Sequence, residues 1–258
     1  MTEAKQLRAP DLAAMKSRGE KISMLAAYDA TMARLLDQAG IDVLLVGDSL
    51  GMVILGADDT LQVTVDDMVR HTRAVRRGTK RALVLADMPF MSYQASLSDA
   101  VRNAGRLMQQ GEAMAVKLEG GMPVVATVER LVSIGIPVVG HLGLLPQSVH
   151  QLGGFKRQAA SQQARQKLLD EAAALETAGA CAVVLECIPS DLAQEVTAHL
   201  KIPTIGIGSG PHCDGQVLVS YDLLGLTAKS PSFAKRYAQL NTAVTDAAKA
   251  FIKDVKGA

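Results

Sequence analysis

Several apolar stretches of this chain finish on side chains able to move a proton or hold a cation. They give Asp48 after IDVLLVG, Asp87 after RALVLA, Lys117 and Glu119 in AMAVKLEGG, His141 after IPVVG, and Glu186 after AVVL. Singly, each has a plain structural use. Asp48, just before Ser49 and Gly51, caps a turn, pairs with a cation or binds a metal. Asp87 also suits a turn, Lys117 and Glu119 a surface pair, His141 a loop hydrogen bond, and Glu186 a helix start. Together they ask for more, because Asp48, Asp87, Glu119 and Glu186 on one rim would repel one another unless a cation sat among them. With oxygen ligands and no Cys or His cluster at zinc spacing, the ion that fits is Mg²⁺ or a similar hard cation. Such an ion takes one or two carboxylates and leaves other positions to water and substrate. Asp48 and Asp87 fill that part, with Glu119 a third contact, direct or through water. Lys117, two residues from Glu119 and so on the same side of a strand, is a cation near any developing oxyanion. Glu186, after its apolar run, suits a general base.

The elements that must position these groups alternate strand and helix. Strand signals fall at Ile22–Ala27, Ile41–Val46, Arg81–Ala86, Ala113–Leu118, Ile136–Gly140, Ala182–Leu185, Pro203–Ile207 and Val217–Ser220. Helix starts are read at Asp29, at Thr64 with Asp67 three residues on, at Ser96 or Ser98, at Pro123, at Ser161 and at Asp191. Glycines 40, 78, 111 and 179 end four of these helices. A last helix repeats Phe233, Tyr237, Leu240, Val244 and Phe251. The Gly-rich, polar stretch Leu142–Gln158 is a long loop of the kind that serves function. Eight strand signals alternating with helices predict a (β/α)8 TIM barrel, one α/β domain over 1–258 with a short N-terminal arm and helix and a C-terminal helix. A doubly wound sheet is the competing fold, and its dinucleotide fingerprint is missing. In a barrel, residues at the strand ends converge on one face.

Composition narrows the partners. The 258 residues are 48% hydrophobic with a net charge of +1, enough for a large core and no invitation to a polyanion. The run Arg70, Arg73, Arg76, Arg77, Lys80, Arg81 reads as a solvated helix face, so no nucleic acid is expected. No apolar run is long enough to span a membrane, and Cys181, Cys187 and Cys213 show no metal spacing, which suits a reducing, cytoplasmic setting.

The stretches AYDATMARLLDQAGIDVLLVGDSLGMVILG, QVTVDD with HTRAVRRG, ADMPFMSY, AVKLEGG, GHLGLLPQSV, VVLECIP and TIGIGSGPHCDGQVLV stand in one order along nearly the whole chain. In them the sequence resembles the ketopantoate hydroxymethyltransferase family. The resemblance implies a (β/α)8 barrel, usually a homodecamer, that transfers a hydroxymethyl group from 5,10-methylenetetrahydrofolate to 3-methyl-2-oxobutanoate with Mg²⁺, opening the pantothenate pathway. It further implies Asp48, Asp87 and Glu119 at the metal, Asp48, Ser49, Asp87 and Lys117 on the 2-oxo acid, Glu186 as proton acceptor and His141 in the pocket. Departures include Gln62 and Leu145, where Pro and Thr are usual, and Ser209 in a Gly-Ser-Gly that is commonly Gly-Ala-Gly. A Mg²⁺-dependent lyase or mutase of 2-oxo acids or phosphoenolpyruvate is the competing activity, since glycines 206–210 follow strand seven, where such barrels bind phosphate. A non-catalytic barrel is a third possibility, and no proposed ligand or base has been lost to suggest it.

Overall fold

The computed structural model describes residues 5–257; of the N-terminal arm, 1–4 lie outside the described residues, as does 258. Eight parallel strands close into a barrel in sequence order. In chain order the elements are α1 (Ala9–Ser17), β1 (Ile22–Ala26), α2 (Ala30–Gln38), β2 (Val43–Val46), α3 (Leu50–Val53), α4 (Val65–Gly78), β3 (Leu83–Asp87) and α5 (Leu97–Gln109). Then come β4 (Ala115–Glu119), α6 (Val125–Ser133), β5 (Val138–Gly143), α7 (Val149–Leu152), α8 (Gln162–Thr177), β6 (Ala182–Glu186), α9 (Ser190–His199), β7 (Thr204–Ile207), β8 (Gly215–Val219), α10 (Ser220–Leu223) and α11 (Leu240–Lys256).

Local side-chain chemistry starts the helices where the sequence places them. Asp29 accepts from the N–H groups of Thr31 and Met32, at 2.8 and 2.9 Å, to open α2. Thr64 and Asp67 form a reciprocal capping box on α4. Ser96, rather than Ser98, caps α5 through the Asp99 N–H, and Ser161 caps α8 through that of Ala164.

Strand boundaries differ from the expectation, and for one reason. The hydrogen-bond ladder carries on past the apolar residues, so β3, β4 and β6 end on Asp87, Glu119 and Glu186, and His141 lies inside β5. The start of β2 moves the other way, to Val43, although the Asp42 N–H still donates to the Ser23 carbonyl and its carbonyl accepts from the Leu83 N–H. β8 sits earlier than Val217–Ser220, since the ladder to β7 pairs Gly215 with Ile205.

Side chains alternate in and out along each strand. The inward set of Ile22, Met24, Val43, Leu45, Leu83, Leu85, Ala115, Val139, Ala182, Val184, Ile205 and Val217 fills the lower barrel. Ala9, Leu12 and Met15 of α1 pack beneath it.

The chain divides into two compact units between Val217 and Leu218, and the division falls inside β8. In the second unit the Tyr237 and Leu240 N–H groups donate to the Leu223 and Leu224 carbonyls. The last helix begins at Leu240, not near Phe233, because Tyr237 is spent on that return to α10. No residue of α11 is buried, and Val244, Phe251, Ile252 and Val255 are exposed.

Candidate active site

The parity that fills the core also builds the site. Two residues beyond Leu85 comes Asp87; beyond Ala115 come Lys117 and Glu119; beyond Val139 comes His141; beyond Val184 comes Glu186. Each is the next inward position on its strand, so the charged groups form the top layer of the same stack whose lower layers are apolar. Asp48, beyond the end of β2, joins them from the turn into α3. Asp48, Asp87, Lys117, Glu119 and His141 are all buried. Glu186 is slightly more open, with a side chain 13% exposed.

The contacts run around the barrel. The Asp48 main-chain N–H donates to Asp87 Oδ2 at 3.1 Å. Lys117 Nζ lies 3.1 Å from Asp87 Oδ1 and 3.2 Å from His141 Nδ1. His141 Nδ1 is 3.6 Å from Glu119 Oε1, and Nε2 is 3.1 Å from Glu186 Oε2. Ser49 stands at the edge, half-buried, with its hydroxyl 2.9 Å from that of Tyr28. All the residues singled out in the sequence therefore lie in or beside one cluster.

The electrostatics show a site short of positive charge. Burial, then the charges of Asp87 and Glu119, push the Asp48 carboxyl well above the usual range. Burial raises Asp87 as well, although Lys117 and the Asp48 N–H pull the other way. Glu119 is buried too, but its hydrogen bond to His141, the charges of His141 and Lys117 and the Gln147 N–H hold it below its ordinary value. For Lys117, burial is outweighed by the charges of Asp87, Glu119 and Asp48, which hold its ammonium above the ordinary lysine value. His141 is pulled up to about 9: burial and Lys117 oppose its charge, and hydrogen bonds to Glu119 and Glu186 overcome them. That places an imidazolium N–H toward the Lys117 ammonium. A neutral ring accepting at Nδ1 from Lys117 avoids that conflict, and its Nε2, 3.1 Å from Glu186 Oε2, is not aligned for a hydrogen bond. A divalent cation among the carboxylates would remove the pull they exert on His141.

The donor set fits a hard cation. Asp87 Oδ1 is buried with no hydrogen-bond partner, the Lys117 ammonium approaching it off the proper angle. Among the described residues no three His, Cys, Asp or Glu side chains converge as a ready cage. The unpartnered Asp87 Oδ1 among crowded carboxylates is what fits an ion that takes one or two carboxylates and keeps its other positions for water and substrate oxygens, as Mg²⁺ does. Asp48 and Asp87 are the pair available. Both Glu119 oxygens have neighbours, Oε2 accepting from the Gln147 N–H at 3.0 Å and Oε1 facing His141, which favours contact through water.

Backbone geometry fixes the Glu186 side of the site. Cys187 takes a left-handed conformation, φ 50°, held by its N–H to the Ile207 carbonyl and by its own carbonyl accepting from the Gln158 N–H. Opposite it, Gly143 has φ 94°, and a Cβ there would lie 2.2 Å from the Glu186 carbonyl oxygen. Ser209, the departure from Gly-Ala-Gly, is fully buried and donates to the Leu185 carbonyl at 2.8 Å while accepting from the Ile188 N–H at 3.3 Å. It ties the loop after β7 to both flanks of Glu186.

Sequence reasoning passed over Tyr93 and Gln147. Both are buried in the cluster. Neither a phenol nor an amide in a loop carries a spacing signal, and only the stretches ADMPFMSY and GHLGLLPQSV held a trace of them.

Residues 6–258 match the profile of a family described as Ketopantoate hydroxymethyltransferase. The 3-methyl-2-oxobutanoate hydroxymethyltransferase of Syntrophus aciditrophicus is 57% identical over 243 residues, 94% of this chain and 89% of that protein. The enzyme of the same name from Moorella thermoacetica is 54% identical over 257 residues, covering 99% and 96%. Among solved structures, a 2,3-dimethylmalate lyase of the PEP mutase/isocitrate lyase superfamily superposes with a TM-score of 0.63 at 18% identity, covering 95% of this chain and 86% of that one. Phosphonopyruvate hydrolase in complex with oxalate and Mg²⁺ gives 0.63 at 12% identity, covering 83% and 81%. At those identities the two structures speak to the fold.

Proposed function

The chain belongs to the ketopantoate hydroxymethyltransferase family, and from that premise we propose that it transfers a hydroxymethyl group from 5,10-methylenetetrahydrofolate to 3-methyl-2-oxobutanoate, giving 2-dehydropantoate. The observation that carries the reading is the buried rim on which Asp48, Asp87 and Lys117 stand linked through His141 to Glu186. Asp48 and Asp87 would hold Mg²⁺, with Glu119 in contact directly or through water. When bound, Mg²⁺ supplies a Lewis acid that draws charge from the carboxylate and 2-oxo oxygens of the substrate.

The protein's own groups do the rest. Asp48, Ser49, Asp87 and Lys117 hold the 2-oxo acid. Glu186 takes the C3 proton, and His141 stands 3.1 Å from its carboxylate. Lys117 sets its ammonium toward the oxygen that gains charge as the proton leaves. The C3 carbon then bonds to the one-carbon unit of the folate, water supplies the hydroxyl group, and tetrahydrofolate departs. The barrel interior around these groups is apolar, which keeps stray water from the carbanion.

No helix among the described residues is long and apolar enough to cross a membrane; a cytoplasmic setting is part of the proposal and rests on the family alone. A homodecamer belongs to the same proposal, and the exposed apolar residues of α11 support burial against other copies.

The test follows loss of the C3 proton of 3-methyl-2-oxobutanoate in D₂O by proton NMR, with and without Mg²⁺, and then 2-dehydropantoate formation when the folate is added. Exchange that requires Mg²⁺, followed by folate-dependent product, is the expected result. Thermal stabilisation by phosphoenolpyruvate with Mg²⁺, and none by 3-methyl-2-oxobutanoate, would favour a lyase or mutase instead.

A further inference from the structure

Gln147 lies in the one-turn helix Pro146–Ser148 that follows β5, and it touches two of the carboxylates through different atoms. Its side-chain Nε2 donates to Asp48 Oδ2 at 2.8 Å and to the Met88 carbonyl at 2.9 Å. Its main-chain N–H donates to Glu119 Oε2 at 3.0 Å. Its Oε1 accepts from the Tyr93 hydroxyl at 2.9 Å and from Gln94 Nε2 at 3.1 Å. Tyr93 is fixed in turn, accepting from the Glu119 N–H at 3.0 Å, and its single proton is shared between Gln147 Oε1 and the Glu119 carbonyl, 3.1 Å away.

Two features follow from this pattern. The amide has one orientation: turned over, it would set its oxygen against a carboxylate and a carbonyl. It also has no hydrogen-bonding capacity left, so it cannot itself serve substrate or metal. What it does is occupy one oxygen of Asp48 and, through the main chain, one of Glu119, leaving each carboxylate its other oxygen.

We propose that Gln147 is the positioning residue of this site, fixing the rotation of Asp48 with its amide and that of Glu119 with its backbone, and that Tyr93 braces both the amide and the Glu119 main chain. The proposal rests on the reading of Asp48 and Asp87 as ligands of a divalent cation. It goes beyond that reading in making the loop after β5, which supplies no ligand, a determinant of how tightly the ion is held. Such supporting hydrogen bonds are worth about 10–100-fold in metal affinity or activity elsewhere.

The experiment measures Mn²⁺ binding by electron paramagnetic resonance in the full chain and in Gln147→Met, Tyr93→Phe, the double variant and Asp87→Ala. Gln147→Met keeps the side-chain length and removes the amide. It is expected to weaken Mn²⁺ binding about 10–100-fold and to change the spectrum of the bound ion, while kcat for C3 exchange falls more than KM for the 2-oxo acid rises. Tyr93→Phe should have a smaller effect in the same direction, and the double variant should bind at least as weakly as Gln147→Met, because Tyr93 also holds the Glu119 main chain. Mn²⁺ affinity within twofold of the parent in Gln147→Met, with binding lost in Asp87→Ala, overturns the inference and leaves the metal reading standing. Loss in Gln147→Met with parental affinity in Asp87→Ala overturns the assignment of Asp87 instead. Should Gln147→Met fail to fold, Gln147→Asn, whose shorter amide no longer reaches Asp48, takes its place, and Mn²⁺ affinity within twofold of the parent there overturns the inference.

Discussion

At the N-terminal end of the barrel, buried and half-buried charges are matched one to one. Lys16 of α1 is 2.9 Å from Asp214 and also donates to the Thr197 and Ile202 carbonyls. Asp214 accepts in addition from the Thr204 N–H, and Asp42 is shared among Arg81 and the N–H and hydroxyl of Ser23. At the C-terminal end, Asp48, Asp87, Glu119 and Glu186 face only Lys117 and His141, and Asp87 Oδ1 has no hydrogen bond. The second set lies deeper, Lys117, Asp87, His141 and Glu119 being 3–5% exposed against 11–30% for the ion pairs of the first, and its charges are not balanced. Paired ions with satisfied lone pairs hold elements together, whereas a surplus of one sign, tolerated at a cost in stability, marks where a ligand of the other sign belongs.

The contrast can be broken, most sharply at Glu186. Glu186→Gln should slow C3 exchange by about 10²–10⁴-fold, the range general bases contribute, with binding of the 2-oxo acid little changed by calorimetry. Exchange at the parental rate removes Glu186 from that part. Asp87→Ala is expected to weaken 2-oxo acid binding in the presence of Mg²⁺ by about 10–100-fold, and excess Mg²⁺ should repair it only in part; unchanged affinity excludes Asp87 as a ligand. At the other end, Lys16→Met should cost about 1–3 kcal/mol of stability, the penalty for leaving buried acceptors without a donor. Urea unfolding reads that loss, and the exchange rate of the folded variant should match the parent.

Two smaller effects sharpen the comparison. Asp48→Asn removes one of the crowded charges and should raise the melting temperature in the absence of divalent ions, by an amount equivalent to about 1 kcal/mol, as relief at strained functional sites commonly does. A lower melting temperature would mean that the carboxylates do not strain the fold. Burial and the neighbouring Glu186 charge push the Cys187 thiol up to about 11, so Glu186→Gln lowers it and leaves more thiolate at pH 8.5. Alkylation of Cys187, followed by mass spectrometry, should then be a few-fold faster; an equal rate would mean that Glu186 does not carry its charge beside Cys187.

What could be read from the sequence depended on the range of the forces involved. Caps at Asp29, Thr64, Ser96 and Ser161 act over two or three residues and were legible at once. Charged strand endings were legible as a set, because their parity with the apolar run is written in the chain. The last rungs of the ladder were not: whether Glu119 is in the strand or past it depends on His141 of the neighbouring strand, with which it pairs. Gln147 was hidden for the same reason, since its partners come from β2, the loop after β3 and β4. The onset of α11 at Leu240 follows from a main-chain return to Leu223 and Leu224 that hydrophobic spacing does not report.

Because Asp87, Lys117, Glu119, His141 and Glu186 occupy inward positions in step with Leu85, Ala115, Val139 and Val184, the chemistry has no address of its own. It borrows its aim from the packing underneath. A single residue inserted into or deleted from one of these strands would swing the charge toward the helices and an oily neighbour into the opening, destroying activity and solubility together. Substitutions can tune this protein; changes of length are confined to the connecting segments, and descendants with new substrates must be sought there.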